Sequence, residues 1–321
     1  MSTGRAGHVA RSTARSAIRP YSETRGVTRG GGPLRTFLRT ADGVSIDSVY
    51  EPGPVVYDGL DSGLPEAGGA ASEGASSGRA VSGRAADLVF VVAHGFTGDA
   101  DRPHVRRVAG VLARYGSVVT FSFRGHGASG GRSTVGDREV LDLAAAVGWA
   151  RELGHTRVAT VGFSMGGSVV LRHAGLGWEA GGAPGVGSDP GAGVDAVVSV
   201  SAPARWFYRG TAPMRRLHWL VTRPSGRLVG RYGLRTRIHH RQWDPVPVSP
   251  VEAVPRIAPT PLLIVHGDQD GYFPLDHPRM LAAAAGEGGE LWVEPGMGHA
   301  ENAAPEGLLT RIGDWVVARA G

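Results

Sequence analysis

Three side chains, in one order along the chain, could together make a nucleophile. They are Ser164, a carboxylate at Asp268 or Asp270, and His299. A serine hydroxyl is a weak nucleophile at neutral pH. It needs a base within hydrogen-bond reach, and the base needs an orienting acid. Ser164 stands in G-F-S-M-G-G (162–167), after the β-branched run Val158 to Val161 and before the helical stretch S-V-V-L-R-H-A. Between a strand and a helix, G-x-S-x-G is a sharp turn that lifts the serine hydroxyl above the sheet edge. Gly162 and Gly166 have no Cβ, so strand and helix can approach closely. The helix beginning at Ser164 directs unpaired N–H groups and its positive dipole end toward a developing oxyanion.

In this topology the nucleophile, acid and base follow in the order Ser, Asp or Glu, His. The acid is expected after a strand. Residues 262–265 run into H-G-D-Q-D-G-Y-F-P (266–274), where two carboxylates compete. Asp270 lies deeper in the loop and is preferred; Asp268 fits a turn-capping role. The strand ending at Val200 is followed by S-A-P-A-R, which holds no carboxylate. His299 closes the series in G-M-G-H, after the strand 291–293. His94 and His126 precede Ser164 in the chain, the wrong order for the base, and His266 sits too close to the acid loop. An oxyanion hole needs two N–H donors. Met165, the residue after the serine, is expected to supply one. Phe96, in the H-G-F-T-G loop after the strand 88–93, is expected to supply the other.

The elements that must hold these residues alternate. Strands are expected at 88–93, 118–123, 158–161, 194–200, 262–265 and 291–293, and helices at 103–115, 139–153, 164–174, near 277–285 and 308–318. A hairpin of Leu34–Thr40 and Val44–Tyr50 around Ala41-Asp42-Gly43 precedes them. Continuous apolar strands alternating with helices mean an α/β architecture, a mostly parallel sheet covered on both faces. Ligands in such sheets bind at the carboxyl ends of the strands, where each candidate residue falls.

The sequence of 321 residues has no cysteine, which excludes disulfides, thiolate metal sites and a cysteine nucleophile. Its +5 net charge is local: residues 1–33 carry six arginines and one acid, and the remainder is neutral. That distribution argues against a nucleic-acid partner. No apolar run reaches the ~18 to 20 residues of a membrane span, and a cytoplasmic location is expected. The Arg- and Ser-rich composition of 1–33 is shared by transit peptides and disordered bacterial tails; a disordered tail is the preferred reading. Residues 59–86, of which 19 are Gly, Ala or Ser, read as a flexible insertion, and 175–193 as another.

Five motifs thus occur in order: H-G-F-T-G, R-G-H-G-A-S (124–129), G-F-S-M-G-G, G-D-Q-D-G-Y-F-P and G-M-G-H. Together they resemble the α/β-hydrolases of the serine-hydrolase kind. The R-G-H-G-A-S and G-F-S-M-G-G pair is most similar to the monoglyceride-lipase and serine-aminopeptidase-like branch. The resemblance covers about 34–321. It implies an α/β-hydrolase fold with a helical cap inserted at 204–255, and an R-G-H-G-A-S loop packed beside the active site. It also implies hydrolysis of a small-molecule carboxylic ester through an acyl-enzyme, with no cofactor and no metal. A peptidase, thioesterase or acyltransferase would use the same triad, and a non-catalytic ligand-binding protein the same fold.

The cap departs from the family pattern. It holds ten arginines against Asp244 and Glu252, with Trp206, Phe207, Tyr208, Trp219, Tyr232 and Trp243, and short helices are expected at 214–221 and 228–238. A solvated lid is the default reading. Recruitment of anionic substrates and contact with an anionic membrane surface are the alternatives.

Overall fold

Every residue of the strand Leu88–Ala93 is buried, because this apolar run serves two faces at once. Val89 and Val91 join one core cluster; Leu88, Phe90 and Val92 join the other. This period-two division makes a sheet that must be covered on both sides. The structure, a computed structural model, describes residues 32–54, 87–177 and 193–320. All but the last two residues of the expected tail 1–33, the insertion 59–86 and most of the stretch 175–193 lie outside the described residues. Gly32–Gly321 forms one compact unit.

The strands are β1 (Leu34–Arg39), β2 (Ser45–Glu51), β3 (Leu88–Ala93), β4 (Ser117–Phe121), β5 (Arg157–Phe163), β6 (Ala196–Val200), β7 (Leu262–Gly267) and β8 (Gly289–Glu294). Their spatial order is β1-β2-β4-β3-β5-β6-β7-β8. The β1–β2 hairpin is antiparallel, with Leu34 opposite Tyr50, and β2 runs antiparallel to β4. Every pair from β4 to β8 is parallel. This is the expected α/β-hydrolase fold, an eight-stranded, mostly parallel mixed sheet.

One face is covered by α1 (Pro103–Leu112) and, near the C-terminus, α9 (Glu306–Arg319); the other by α2 (Glu139–Glu152) and α3 (Met165–Leu176). The connection from β6 to β7 carries α4 (Ala212–Thr222), α5 (Pro224–Gly233) and α6 (Pro250–Ala253). Helix α7 (Asp276–Ala285) joins β7 to β8, and the single turn α8 (Ala300–Ala303) precedes α9. The second cap helix ends five residues before the expected 238 and starts four before 228. Pro224 fits the first helical turn. Thr236 and Ile238 are instead captured as bridges to His126 and Ser133, beside the R-G-H-G-A-S loop. The Trp243 indole N–H donates to the Thr134 carbonyl at 2.8 Å, a second tie between cap and body.

Candidate active site

Ser164 sits between β5 and α3 with φ 52° and ψ −112°, a region that non-glycine residues enter only under constraint. The constraint is visible. Its N–H donates to the Val200 carbonyl of β6 at 2.8 Å, and its carbonyl accepts the Ser168 N–H at 3.1 Å. The flanking glycines permit the turn. A Cβ on Gly162 would overlap the Gly166 carbonyl, and one on Gly166 would overlap the Ala93 carbonyl of β3.

His299 and Asp270 meet this serine. His299 Nε2 lies 2.9 Å from Ser164 Oγ, and His299 Nδ1 lies 2.8 Å from Asp270 Oδ2. The Asp270 side chain is fully buried; that of His299 is 16% exposed. Burial opposes the charge on Asp270. The hydrogen bond from His299 and the N–H groups of Tyr272 and Phe273 outweigh it and hold the carboxyl below the usual carboxylate range. An ionised carboxylate only accepts, so the imidazole proton sits on Nδ1 and Nε2 is left to accept from the serine hydroxyl. The Tyr272 ring stacks on the imidazole at 4.2 Å between centroids and limits its rotation.

The competing carboxylate does something else. Asp268 Oδ1 accepts the Gly296 N–H at 2.7 Å, which ties the acid loop to the loop that presents His299. His266 is buried and donates to the Phe273 carbonyl at 2.8 Å, bracing the same loop from behind.

Two supporting residues escape the sequence reading. Glu301, buried two positions after His299, accepts the Gly95 N–H at 2.9 Å and so holds the H-G-F-T-G loop. Ser201 Oγ accepts the Ala300 N–H at 3.0 Å, fixing the backbone just after the histidine. Their partners lie 206 and 99 positions away in sequence, so no local pattern marks them. With Gly95 committed to Glu301, the next N–H in the loop, that of Phe96, has no acceptor among the described residues. Met165 opens α3, where first-turn N–H groups have no intrahelical acceptor. The Phe96 ring packs edge-on against His126 at 5.6 Å.

The R-G-H-G-A-S loop lies beside the site. Arg124 is buried and forks between Asp142 and Asp42, with contacts of 2.7 to 3.0 Å. Asp42 is the tip of the β1–β2 hairpin, so this guanidinium pins the hairpin to the cleft wall. His94, which opens the H-G-F-T-G loop, and His126 are fully buried; burial pushes them down to about 3 and about 4. They are neutral structural residues.

Ser164, Phe96 and Met165 line a cleft of about 1830 Å3 between sheet and cap. Its cap-side walls include Trp206, Phe207, Tyr208 and Trp243. Trp206 and Trp243 pack at 5.1 Å, and Trp206 lies under the Arg172 guanidinium at 5.8 Å. Among the described residues, no cluster of His, Asp and Glu has the arrangement of a metal site. No helix among them is long and apolar enough to cross a membrane.

The family model described as "Alpha/beta hydrolase family" matches residues 88–311. Several solved structures share the fold. The esterase Pf2001 of Pyrococcus furiosus superposes with a TM-score of 0.61 at 20% identity, covering 90% of this chain and 93% of its own. The alpha/beta hydrolase GrgF of Penicillium sp. sh18 gives 0.59 at 17%, covering 90% and 99%. Est1E of Butyrivibrio proteoclasticus, solved with ferulic acid bound, gives 0.55 at 17%, covering 88% and 98%. At these identities the likeness is one of fold.

Proposed function

We propose that this chain, which belongs to the alpha/beta hydrolase family, hydrolyses carboxylic esters through an acyl-enzyme on Ser164. The observation that carries this reading is the unbroken hydrogen-bond chain Ser164–His299–Asp270, whose serine lines a wide cleft. In the first step Ser164 Oγ attacks the ester carbonyl while His299 Nε2 takes its proton. Asp270 keeps Nδ1 protonated and stabilises the imidazolium. The N–H groups of Phe96 and Met165 bind the oxyanion of the tetrahedral intermediate. The carbon–oxygen bond then breaks, and His299 returns the proton to the departing alcohol. Water, deprotonated by the same imidazole, releases the acid and restores the serine. No step calls on a cofactor.

The R-G-H-G-A-S loop and the G-F-S-M-G-G turn favour a relationship to the monoglyceride-lipase and serine-aminopeptidase-like branch. Ligand pockets commonly measure roughly 300 to 1,000 Å3. The larger cleft here suits a long acyl chain or a bulky alcohol better than a short acetyl ester.

A chain-length series of p-nitrophenyl esters, with fluorophosphonate labelling in parallel, tests the proposal. Turnover and labelling are both expected to vanish in Ser164→Ala. Labelling without ester turnover would redirect the same nucleophile to thioesters or amides, which pass through the same intermediate. Absence of both in the native protein would overturn the assignment.

A further inference from the structure

Three rings of the connection between β6 and β7, those of Trp206, Phe207 and Trp243, line the catalytic cleft together with Ser164. They adjoin the reacting atoms from two sides. A methyl group placed on Gly136 would touch the Trp206 ring at 3.5 Å and Met165 Cγ at 3.9 Å, and Met165 follows the serine. On the other side the Phe273 ring lies 5.7 Å from the His299 imidazole and 6.2 Å from the ring of Tyr208, the neighbour of Phe207 in sequence.

The planes of the two indoles are set. The Trp206 N–H donates to the Pro247 carbonyl and the Trp243 N–H to the Thr134 carbonyl, each at 2.8 Å. The Arg172 guanidinium backs Trp206 at 5.8 Å. Trp243 stands at 59° to Trp206 and at 56° to Phe207, with centroids 5.1 and 5.5 Å apart. Tilted rings leave an open angle between them. A third ring can enter it with its face to one partner and its edge to the other, the arrangement that ring quadrupoles favour.

Phe207 departs from what a solvated lid requires. It is 57% exposed, and its φ of 59° lies in the left-handed region, which costs a bulky residue free energy. A ring held toward the cleft at that cost gains nothing from water and gains from a partner. An alkyl chain would gain from any apolar wall, whatever the angle of its rings. Fixed planes reward a ligand whose contact energy depends on that angle.

We propose that the angle between Phe207 and Trp243, with Trp206 behind it, is a subsite for a planar aromatic ring carried by the ester cleaved at Ser164, an inference that rests on the reading of Ser164 as the nucleophile. The ring can belong to the acyl part or to the alcohol, and the experiment separates the two.

The measurement compares kcat/KM for each aromatic ester with that for its saturated counterpart, which has a similar size and is the more apolar of the two. In the acyl arm the pair is methyl 3-phenylpropanoate and methyl 3-cyclohexylpropanoate. In the alcohol arm it is benzyl and cyclohexylmethyl butanoate. Each rate is divided by the rate of alkaline hydrolysis, and fluorophosphonate labelling counts the intact sites. A wall that is merely apolar favours the cyclohexyl ester. The subsite is expected to favour the phenyl ester by about fivefold or more in one arm, and the ratio is expected to fall toward one in Phe207→Leu. Preference in the first arm assigns the ring to the acyl group; preference in the second assigns it to the alcohol. A ratio of one or less in both arms, or a preference that Phe207→Leu leaves unchanged, overturns the subsite.

Failure of Ser164 as nucleophile would show separately, as absence of labelling and of turnover on all four esters. In that event calorimetry on full-length Ser164→Ala with the same four esters still decides the subsite. Tighter binding of a phenyl ester than of its cyclohexyl counterpart, lost when Phe207→Leu is added, supports it. Equal binding, or none, overturns it.

Discussion

In the proposed mechanism, the base is set by one proton. Because Asp270 is ionised and fully buried, it fixes Nδ1 of His299 as the donor and Nε2 as the acceptor. Asp270→Asn keeps the shape but offers an amide donor, which stabilises the opposite tautomer and turns an N–H toward Ser164. We expect kcat to fall by about 10^3- to 10^4-fold with little change in KM, checked by steady-state kinetics on the best p-nitrophenyl ester. An Asp268→Asn change would not show this pattern, since that side chain accepts the Gly296 N–H while Asp270 takes His299. Retention of activity in Asp270→Asn would remove Asp270 from the triad. Glu301 and Ser201 add what the three residues lack: they fix the backbones on either side of the reacting atoms.

At the scale of the elements, the site is a junction of strand ends. Ser164 leaves β5, Gly95 and Phe96 follow β3, Asp270 follows β7 and His299 follows β8. Close approach of α3 to β3 holds the junction together, and Gly166 makes that approach possible. A methyl group there would meet backbone carbonyls of Ala93 and His94, which cannot rotate away. Gly166→Ala must therefore push α3 off the sheet. Overpacking of this kind typically costs about 1 to 3 kcal/mol, and here it also displaces Ser164 and the loop carrying Gly95 and Phe96. Thermal unfolding should show a lower Tm, and fluorophosphonate labelling should slow in the folded fraction. Wild-type labelling with a lowered Tm would separate packing from site geometry.

At the scale of the whole molecule, four of the buried histidines among the described residues are held far below the usual imidazole range. Burial is the leading cause in each case. It pushes His94 down to about 3 and His126, His173 and His277 down to about 4. All four are at most 3% exposed. An unfolded histidine takes a proton near pH 6.5. Between that value and the folded values, the unfolded chain binds more protons than the folded one, so stability falls as pH falls. Each histidine adds a slope of up to about 1.4 kcal/mol per pH unit. Lowered carboxylates act in a separate window. Asp42, depressed by Arg124 and Thr40 against the effect of burial, contributes stability above its ordinary range and loses it at more acidic pH. Melting curves from pH 7 to pH 4 are expected to show Tm dropping steeply below about pH 6.5. A flat Tm to pH 4 would mean that the buried imidazoles do not set acid stability.

The linear order of residues determined the fold class and the order of the chemical candidates. Apolar runs with period two or 3.6 report burial locally, and glycine beside serine reports a turn locally. The β1–β2 hairpin, the parallel core strands and the strand–turn–helix at Ser164 were legible for that reason. The preference for Asp270 over Asp268 rested only on its depth in the loop, because the two lie in one loop and side-chain direction is not a local property. Tertiary structure sends one carboxylate inward to His299 and the other across to Gly296. The supports at Glu301 and Ser201 were not legible, nor was the pairing of Phe207 with Trp243. These features depend on contacts between distant parts of the chain, and such contacts exist only once the sheet has brought their strand ends together.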